Sequence, residues 1–222
     1  LKREFLTTGD GSVTIHLPEW DEQYHSKHGA IAEAIHVFIK TGLHHYISLF
    51  PQKPISILEI GFGTGLNAFL TLQEAVSQNL QISYTGVEAY PIQASEIPQL
   101  NYAGLLAASE TDFLTLHTSP WEEASEVNSN FKLTKRKQFF SEIKESETYD
   151  LIYFDAFGAR VQPELWTEAI FEKMYKALLP DGVLVTYAAK GSVRRAMQAV
   201  GFEVERLPGP PGKREMLRAT KT

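Results

Sequence analysis

Apolar residues recur along the chain at two alternating periods. From residue 30 to 50 they fall at Ile31, Ala34, Ile35, Phe38, Ile39, Leu43, Tyr46, Ile47 and Phe50, the spacing of one helix face, with a break expected at Gly42. Pro51 and Pro54 punctuate. The short run Ile55 to Ile60 then ends in Gly61-Phe62-Gly63-Thr64-Gly65, the pattern of a strand entering a glycine turn. Helical spacing resumes over Leu66 to Val76, and Ile82 to Ala89 reads as the next strand, which completes a βαβ unit. Further strands are predicted at Phe131 to Arg136, Tyr149 to Asp155 and Val183 to Ala188. Between and after them come an amphipathic helix opened by Pro163 and running to Leu178, and another over Gly191 to Val200. Two last runs, Phe202 to Leu207 and Arg214 to Thr220, flank Pro208-Gly209-Pro210-Pro211-Gly212; that link is too short for a crossover helix, so they pair antiparallel. No clear period marks residues 104 to 130. The pattern predicts an α/β, Rossmann-like fold: a seven-stranded, mostly parallel sheet with a C-terminal antiparallel hairpin, preceded by an N-terminal helical extension. One domain over 1–222 is expected, with 1–50 as the extension and 51–222 as the core.

Composition changes this picture little. The chain is 43% hydrophobic and 22% charged, with 13 Phe and 9 Tyr to fill a core, which excludes disorder and fibrous repeats. With no Cys there is neither a disulfide scaffold nor a thiolate metal site. His25 and His28, and the adjacent His44 and His45, are completed by no further ligands, so no metal is expected. No apolar stretch approaches the ~18 residues of a membrane span, and no apolar signal core follows Lys2, Arg3 and Glu4, so a cytoplasmic protein without a membrane partner is expected. Charge matters more. The net charge is −6, yet from Thr186 to Thr222 Lys190, Arg194, Arg195, Arg206, Lys213, Arg214, Arg218 and Lys221 face only Glu203, Glu205 and Glu215, leaving this stretch at +5 and the remainder at −11. A local basic surface suited to a polyanion is implied within an acidic chain.

The glycine turn narrows the chemistry. Gly61-x-Gly63-x-Gly65 is one residue shorter than the dinucleotide GxGxxG, and Glu59 precedes it by two residues. Glu88, at the end of the following strand, is placed to accept both hydroxyls of a ribose, which selects a nucleoside cofactor. A carboxylate such as Glu59 beside the cradle repels a pyrophosphate and suits a cationic sulfonium and ammonium, the two cations of S-adenosyl-L-methionine. The cofactor-binding set is thus expected to comprise Glu59, Gly61, Phe62, Gly63, Thr64, Gly65, Leu66, Asn67, Glu88 and Asp155.

The stretch ILEIGFGTGLN resembles the S-adenosylmethionine signature of one family, the tRNA 5-methylaminomethyl-2-thiouridine methyltransferases, in their MnmC/MnmD-like methyltransferase domain. Further blocks are similar in order and spacing: Tyr24-His25-Ser26 with Gly29 and Glu33 before His36 to Ile39, LIYFDAF at Leu151 to Phe157, PELW at Pro163 to Trp166, TYAAKGSVRRAM at Thr186 to Met197, and PGKREML at Pro211 to Leu217. The resemblance covers roughly residues 20 to 220. It implies a class I methyltransferase that N-methylates the aminomethyl group on the wobble uridine of tRNA, giving methylaminomethyl(-2-thio)uridine. It also implies the tRNA anticodon stem-loop as partner, and coupling to the enzymes that install the aminomethyl group. In longer relatives the domain is fused to an FAD-dependent oxidoreductase, and a stand-alone form without that domain is expected here. The chain departs from the family pattern in three places: Gly158-Ala159 follows DAF, where a proline is common; the asparagine expected near Gly42 is absent; and Gln138 falls about where an adenine-binding acid is often found.

The carboxyl ends of the predicted strands bring Glu59, Glu88, Asp155 and Tyr187 to one crevice. Asp155 is the candidate catalytic group, accepting the amine's proton or aiming its N–H bonds, with Phe157 and Tyr187 as apolar walls. Lys190, Arg195, Lys213 and Arg214 are the candidates to meet RNA phosphates. A small-molecule amine methyltransferase and a non-catalytic Rossmann-like binding module remain as alternatives.

Overall fold

The computed structural model describes residues 2–222. It opens with three short antiparallel strands, β1 (Glu4–Thr7), β2 (Val13–Leu17) and β3 (Glu22–Gln23). This small sheet corrects the expectation of a purely helical extension. Val13, Ile15 and Leu17 alternate as a strand should, but over five residues a period of two is too brief to stand out in the sequence.

Residues 30 to 49 follow as an unbroken helical rod made of α1 (Ala30–Ala34), a π-helical stretch (Ile35–His44) and α2 (His45–Leu49). The break expected at Gly42 does not occur. A Cβ there would lie 2.9 Å from Val185 Cγ2 and 3.3 Å from Tyr153 Cε1, so the missing side chain lets the rod settle directly onto the sheet.

The remaining elements alternate. They are β4 (Ile55–Ile60), α3 (Leu66–Ser77), β5 (Ile82–Val87), α4 (Tyr102–Leu105), α5 (Glu110–Thr118), β6 (Ala124–Asn128) and β7 (Phe131–Arg136). After these come β8 (Tyr149–Phe154), α6 (Glu168–Ala177), β9 (Leu178–Thr186), α7 (Gly191–Ala199), β10 (Phe202–Pro208) and β11 (Glu215–Lys221). The main sheet has eight strands in the order β10-β11-β9-β8-β4-β5-β7-β6. Strands β9, β8, β4, β5 and β7 pair in parallel, while β11 runs antiparallel to both β9 and β10. The eighth strand, beyond the seven expected, is β6, antiparallel to β7. Its sequence ASEVN has no buried position, which is why residues 104 to 130 show no period.

Two further boundaries moved. The helix expected from Pro163 splits into a 3-10 turn (Pro163–Trp166) and α6, because the Trp166 indole N–H donates to the Phe157 carbonyl at 2.7 Å and anchors the turn to the preceding loop. Strand β9 starts at Leu178, which pairs with Tyr149 before the register shifts.

Both faces of the parallel strands are covered. The rod, α3 and α5 bury Phe38, Phe69, Tyr84, Leu133 and Tyr153 on one side; α6 and α7 bury Leu58, Phe154, Phe171, Met174 and Met197 on the other. Such two-sided burial explains why β8 reads YDLIYF, buried at all six positions, instead of alternating. At the carboxyl edge of β4, β5, β8 and β9, the N-terminal sheet and its following loop lean over the strand ends, while the turn between β10 and β11 packs back on the rod, with the Pro208 carbonyl 2.8 Å from His36 Nε2. Among the described residues no helix is long and apolar enough to cross a membrane.

Candidate active site

The glycine turn after β4 requires its glycines. Gly61, Gly63 and Gly65 have φ of +89°, +49° and +72°, a region costly for other L-residues, and a Cβ at Gly61 would lie 2.6 Å from the Asp155 carbonyl oxygen. The Gly61 and Phe62 amides both donate to the Val87 carbonyl at 3.0 Å, which pins the turn to the end of β5. The Phe62, Thr64 and Leu66 side chains are buried in the fold, so these residues present backbone to the crevice; Thr64 accepts from the Tyr102 hydroxyl at 3.1 Å.

Three carboxylates surround the turn, each in a different state. Glu59 is 1% exposed and its Oε2 has no hydrogen-bond partner. Burial, reinforced by the nearby Asp155, raises its pKa well above the usual carboxylate range, against the pull of Tyr84 and Asn67. Glu88 accepts the Gly63 N–H at 3.1 Å through Oε2 and the Tyr90 N–H at 2.9 Å through Oε1. Burial raises its pKa too, opposed by those backbone bonds. Asp155 accepts from Asn67 Nδ2 at 2.8 Å. Burial and then the charge of Glu33 push its pKa up to about 7, with Asn67 and Lys213 working the other way.

These groups line one cavity of about 450 Å³, which brings together Glu59, Gly61 to Thr64, Leu66, Asn67, Glu88, Asp155, Phe157 and Tyr187, whereas Gly65 lies outside its lining. Its roof comes from residues that the pattern of the chain does not single out as site residues. Phe157 is met edge-on by Trp20, ring centres 5.8 Å apart, and by Tyr24 at 5.0 Å. Arg160 holds this roof in place by donating to the Trp20 and Asp21 carbonyls and to the Glu22 carboxylate. Tyr187 donates to the Ala156 carbonyl at 2.8 Å. Beside Gln138, where the family pattern often has an acid, Phe139, Phe140 and Ser141 line the cavity instead. Trp166 is 5% exposed and packs on Phe154, Phe171 and Tyr187 as core.

The cations divide into two groups. Lys190, Arg195 and Arg214 are exposed, and none has an ion-pair partner among the described residues. Lys213 is a correction: its ammonium turns inward onto the Glu33 carboxylate and over the Tyr187 ring, 3.8 Å from the centroid, and is not free for a phosphate. The basic run Lys132 to Lys137 falls on β7 and the residue after it, and β7 is interior to the sheet because β6 lies outside it. Lys135 is 1% exposed, donating to the His117 carbonyl at 2.6 Å near the C-terminus of α5, and Arg136 pairs with Glu145.

The residues fit S-adenosyl-L-methionine. Glu59 Oε2 is a buried, unpartnered acceptor at the cavity wall, and Gly61 and Gly63 let the turn backbone pack against the Asp155 carbonyl and the Tyr24 ring at distances that a Cβ would close, which leaves bare backbone along the cavity. A mostly parallel sheet with a reversed strand inserted near one end, a glycine turn after its central strand and a carboxylate after the next defines a class I methyltransferase. The chain belongs to a family of S-adenosyl-L-methionine-dependent methyltransferases, matched over residues 112–222. Among its relatives are the tRNA 5-methylaminomethyl-2-thiouridine biosynthesis bifunctional proteins MnmC of Hydrogenovibrio crunogenus, 28% identical over 89% of this chain and 31% of that protein, and of Cupriavidus necator, 32% identical over 91% of this chain and 32% of that protein. The chain thus spans about a third of the length of these relatives. The crystal structure of MNMC2 from Aquifex aeolicus superposes with a TM-score of 0.81 at 25% identity, covering 100% of this chain and 70% of that one. Spermidine synthase from Thermotoga maritima, TM-score 0.56 at 14% identity over 100% of this chain and 72% of that one, shares the fold alone.

Proposed function

We propose that the protein methylates the exocyclic aminomethyl nitrogen of the wobble uridine in tRNA, working where tRNA is found, in the cytoplasm. The relatives named for 5-methylaminomethyl-2-thiouridine biosynthesis support the substrate, and the state of Asp155 supports the chemistry. S-adenosyl-L-methionine supplies an electrophilic methyl group. The chain holds it through the glycine-turn backbone, through Glu88 facing the ribose and through Glu59 facing a cation.

The difficulty lies with the nucleophile. A primary alkylamine with a lysine-like pKa of ~10.4 is neutral in only about one molecule in two thousand at pH 7, so the site must take a proton before the nitrogen has a free lone pair. Asp155 is the group for this: half-buried at the cavity wall, with a pKa of about 7 and a single side-chain hydrogen bond, it accepts a proton at neutral pH without holding it too weakly or too tightly. Asn67 fixes the orientation of Asp155 Oδ2, while Phe157 and Tyr187 exclude water from the amine and weaken its ammonium form. Lys190, Arg195 and Arg214 meet phosphates of the anticodon stem-loop outside the cavity.

The test is nucleoside mass spectrometry on tRNA carrying aminomethyluridine, incubated with the protein and S-adenosyl-L-methionine. Conversion to methylaminomethyluridine is expected. Transfer to free small amines with unmodified tRNA would replace the proposal by a small-molecule amine methyltransferase. Asp155→Asn should lose activity at pH 7 and recover part of it as pH rises, because more of the amine is then already neutral.

A further inference from the structure

The turn between β10 and β11 reaches across the molecule to the back of the active site. Its Lys213 ammonium lies between Glu33 of α1 and the face of Tyr187. A lysine at a hairpin tip ordinarily stays in solvent, since its ammonium is strongly hydrated and its stem loses rotamer freedom when fixed. Here the partner is prearranged. Glu33 is 6% exposed, and its other oxygen accepts the Ser26 N–H at 2.7 Å. Tyr187 in turn donates to the carbonyl of Ala156, the residue after Asp155.

We propose that Lys213 and Glu33 are positioning residues for the methyl transfer: together they clamp Tyr187, and through it the backbone beside Asp155, and they place two opposite charges behind that ring. The inference rests on Asp155 being the proton acceptor. The titratable groups around Asp155 are Glu59 from β4, Tyr84 from β5, Tyr187 just beyond β9, Glu33 from α1 and Lys213 from the turn. Of these, Glu33 opposes ionisation of Asp155 and Lys213 favours it. Removing the lysine must therefore move Asp155 one way and removing the glutamate the other. A pair that served only as packing would not give opposite signs.

The experiment follows the Asp155 carboxyl by ¹³C NMR, assigned by its loss in Asp155→Asn, in Lys213→Met, Lys213→Arg and Glu33→Gln. The same proteins are assayed for kcat/KM against pH and for tRNA affinity against salt. Lys213→Met should raise the Asp155 titration by about 0.5 to 1 pH unit, roughly a three- to tenfold change in proton affinity, because an opposite charge at close range is lost. Glu33→Gln should lower it by a similar amount, and Lys213→Arg should stay near wild type. The acid limb of kcat/KM should follow each shift, while the tRNA affinity and salt slope of Lys213→Met remain those of wild type.

Unchanged titrations, or shifts of one sign, would overturn the inference and leave Asp155 as the acceptor. Opposed shifts that the acid limb ignores would remove Asp155 from the base role and the inference with it. A salt slope reduced in Lys213→Met would return Lys213 to the RNA surface. If Lys213→Met does not fold, Glu33→Gln decides alone: an unchanged or raised titration overturns the proposal.

Discussion

Replacing Glu88 by Ala separates the cofactor site from the glycine turn. Both oxygens of Glu88 are committed on the protein side, one to the Gly63 N–H at 3.1 Å and one to the Tyr90 N–H at 2.9 Å, and each retains a lone pair for a ribose hydroxyl. A charge-assisted hydrogen bond is worth roughly 1.5 to 3 kcal/mol, and two are lost, partly refilled by water, so S-adenosyl-L-methionine binding should weaken by about 2 to 4 kcal/mol. At ~1.4 kcal/mol per decade this is roughly a 30- to 700-fold rise in Kd. The structure adds a second cost. Because Gly63 loses its acceptor, the turn loosens as well, and the free protein should lose about 1 kcal/mol of stability, small because water at the open cavity wall can replace the carboxylate. Calorimetric titration with S-adenosyl-L-methionine measures the first effect and a thermal melt the second. A Kd within about threefold of wild type would refute the ribose assignment, and with it the alignment of the β5 end with the cofactor.

Three further outcomes are expected. Gly61→Ala places a methyl against the Asp155 carbonyl at a φ of +89°, and should cost more than 2 kcal/mol in a denaturant melt, together with cofactor binding. Asp155 has its folded pKa raised from 3.8 to about 7, so its contribution to stability is complete below pH ~4 and is lost as pH rises through 7; wild type minus Asp155→Asn stability should fall by roughly 2 to 4 kcal/mol over that window, and a flat difference would refute the burial argument. Changing Lys190, Arg195 and Arg214 together to Ala should lower the log-log salt slope of tRNA binding by about three while cofactor affinity holds, and an unchanged slope would place the RNA elsewhere.

Much of this site was legible because its parts obey local rules. Ile55 to Ile60 and the glycines behind it declare a strand and a turn by themselves, and Glu59, Glu88 and Asp155 follow from where strands end. What was hidden depends on distance. Trp20 and Tyr24 form the roof only because Arg160, some 140 residues later, holds their loop. Lys213 looks like one more surface cation until Glu33, 180 residues away, claims it. Strand β6 is recognisable only by its partner β7, and Gly42 breaks helices on average but here fills a gap against Val185.

Strand β11, though latest of all in the chain, does not lie at the margin of the sheet; it is inserted between β9 and β10. Until it is in place, β10 has no neighbour in the sheet, β9 keeps an open edge, and the turn that carries Lys213 has nothing to hold it against Tyr187. Strand β11 therefore contributes no residue to the cavity lining, yet the two strands on either side of it, and the turn that reaches Tyr187, depend on it for their place in the fold.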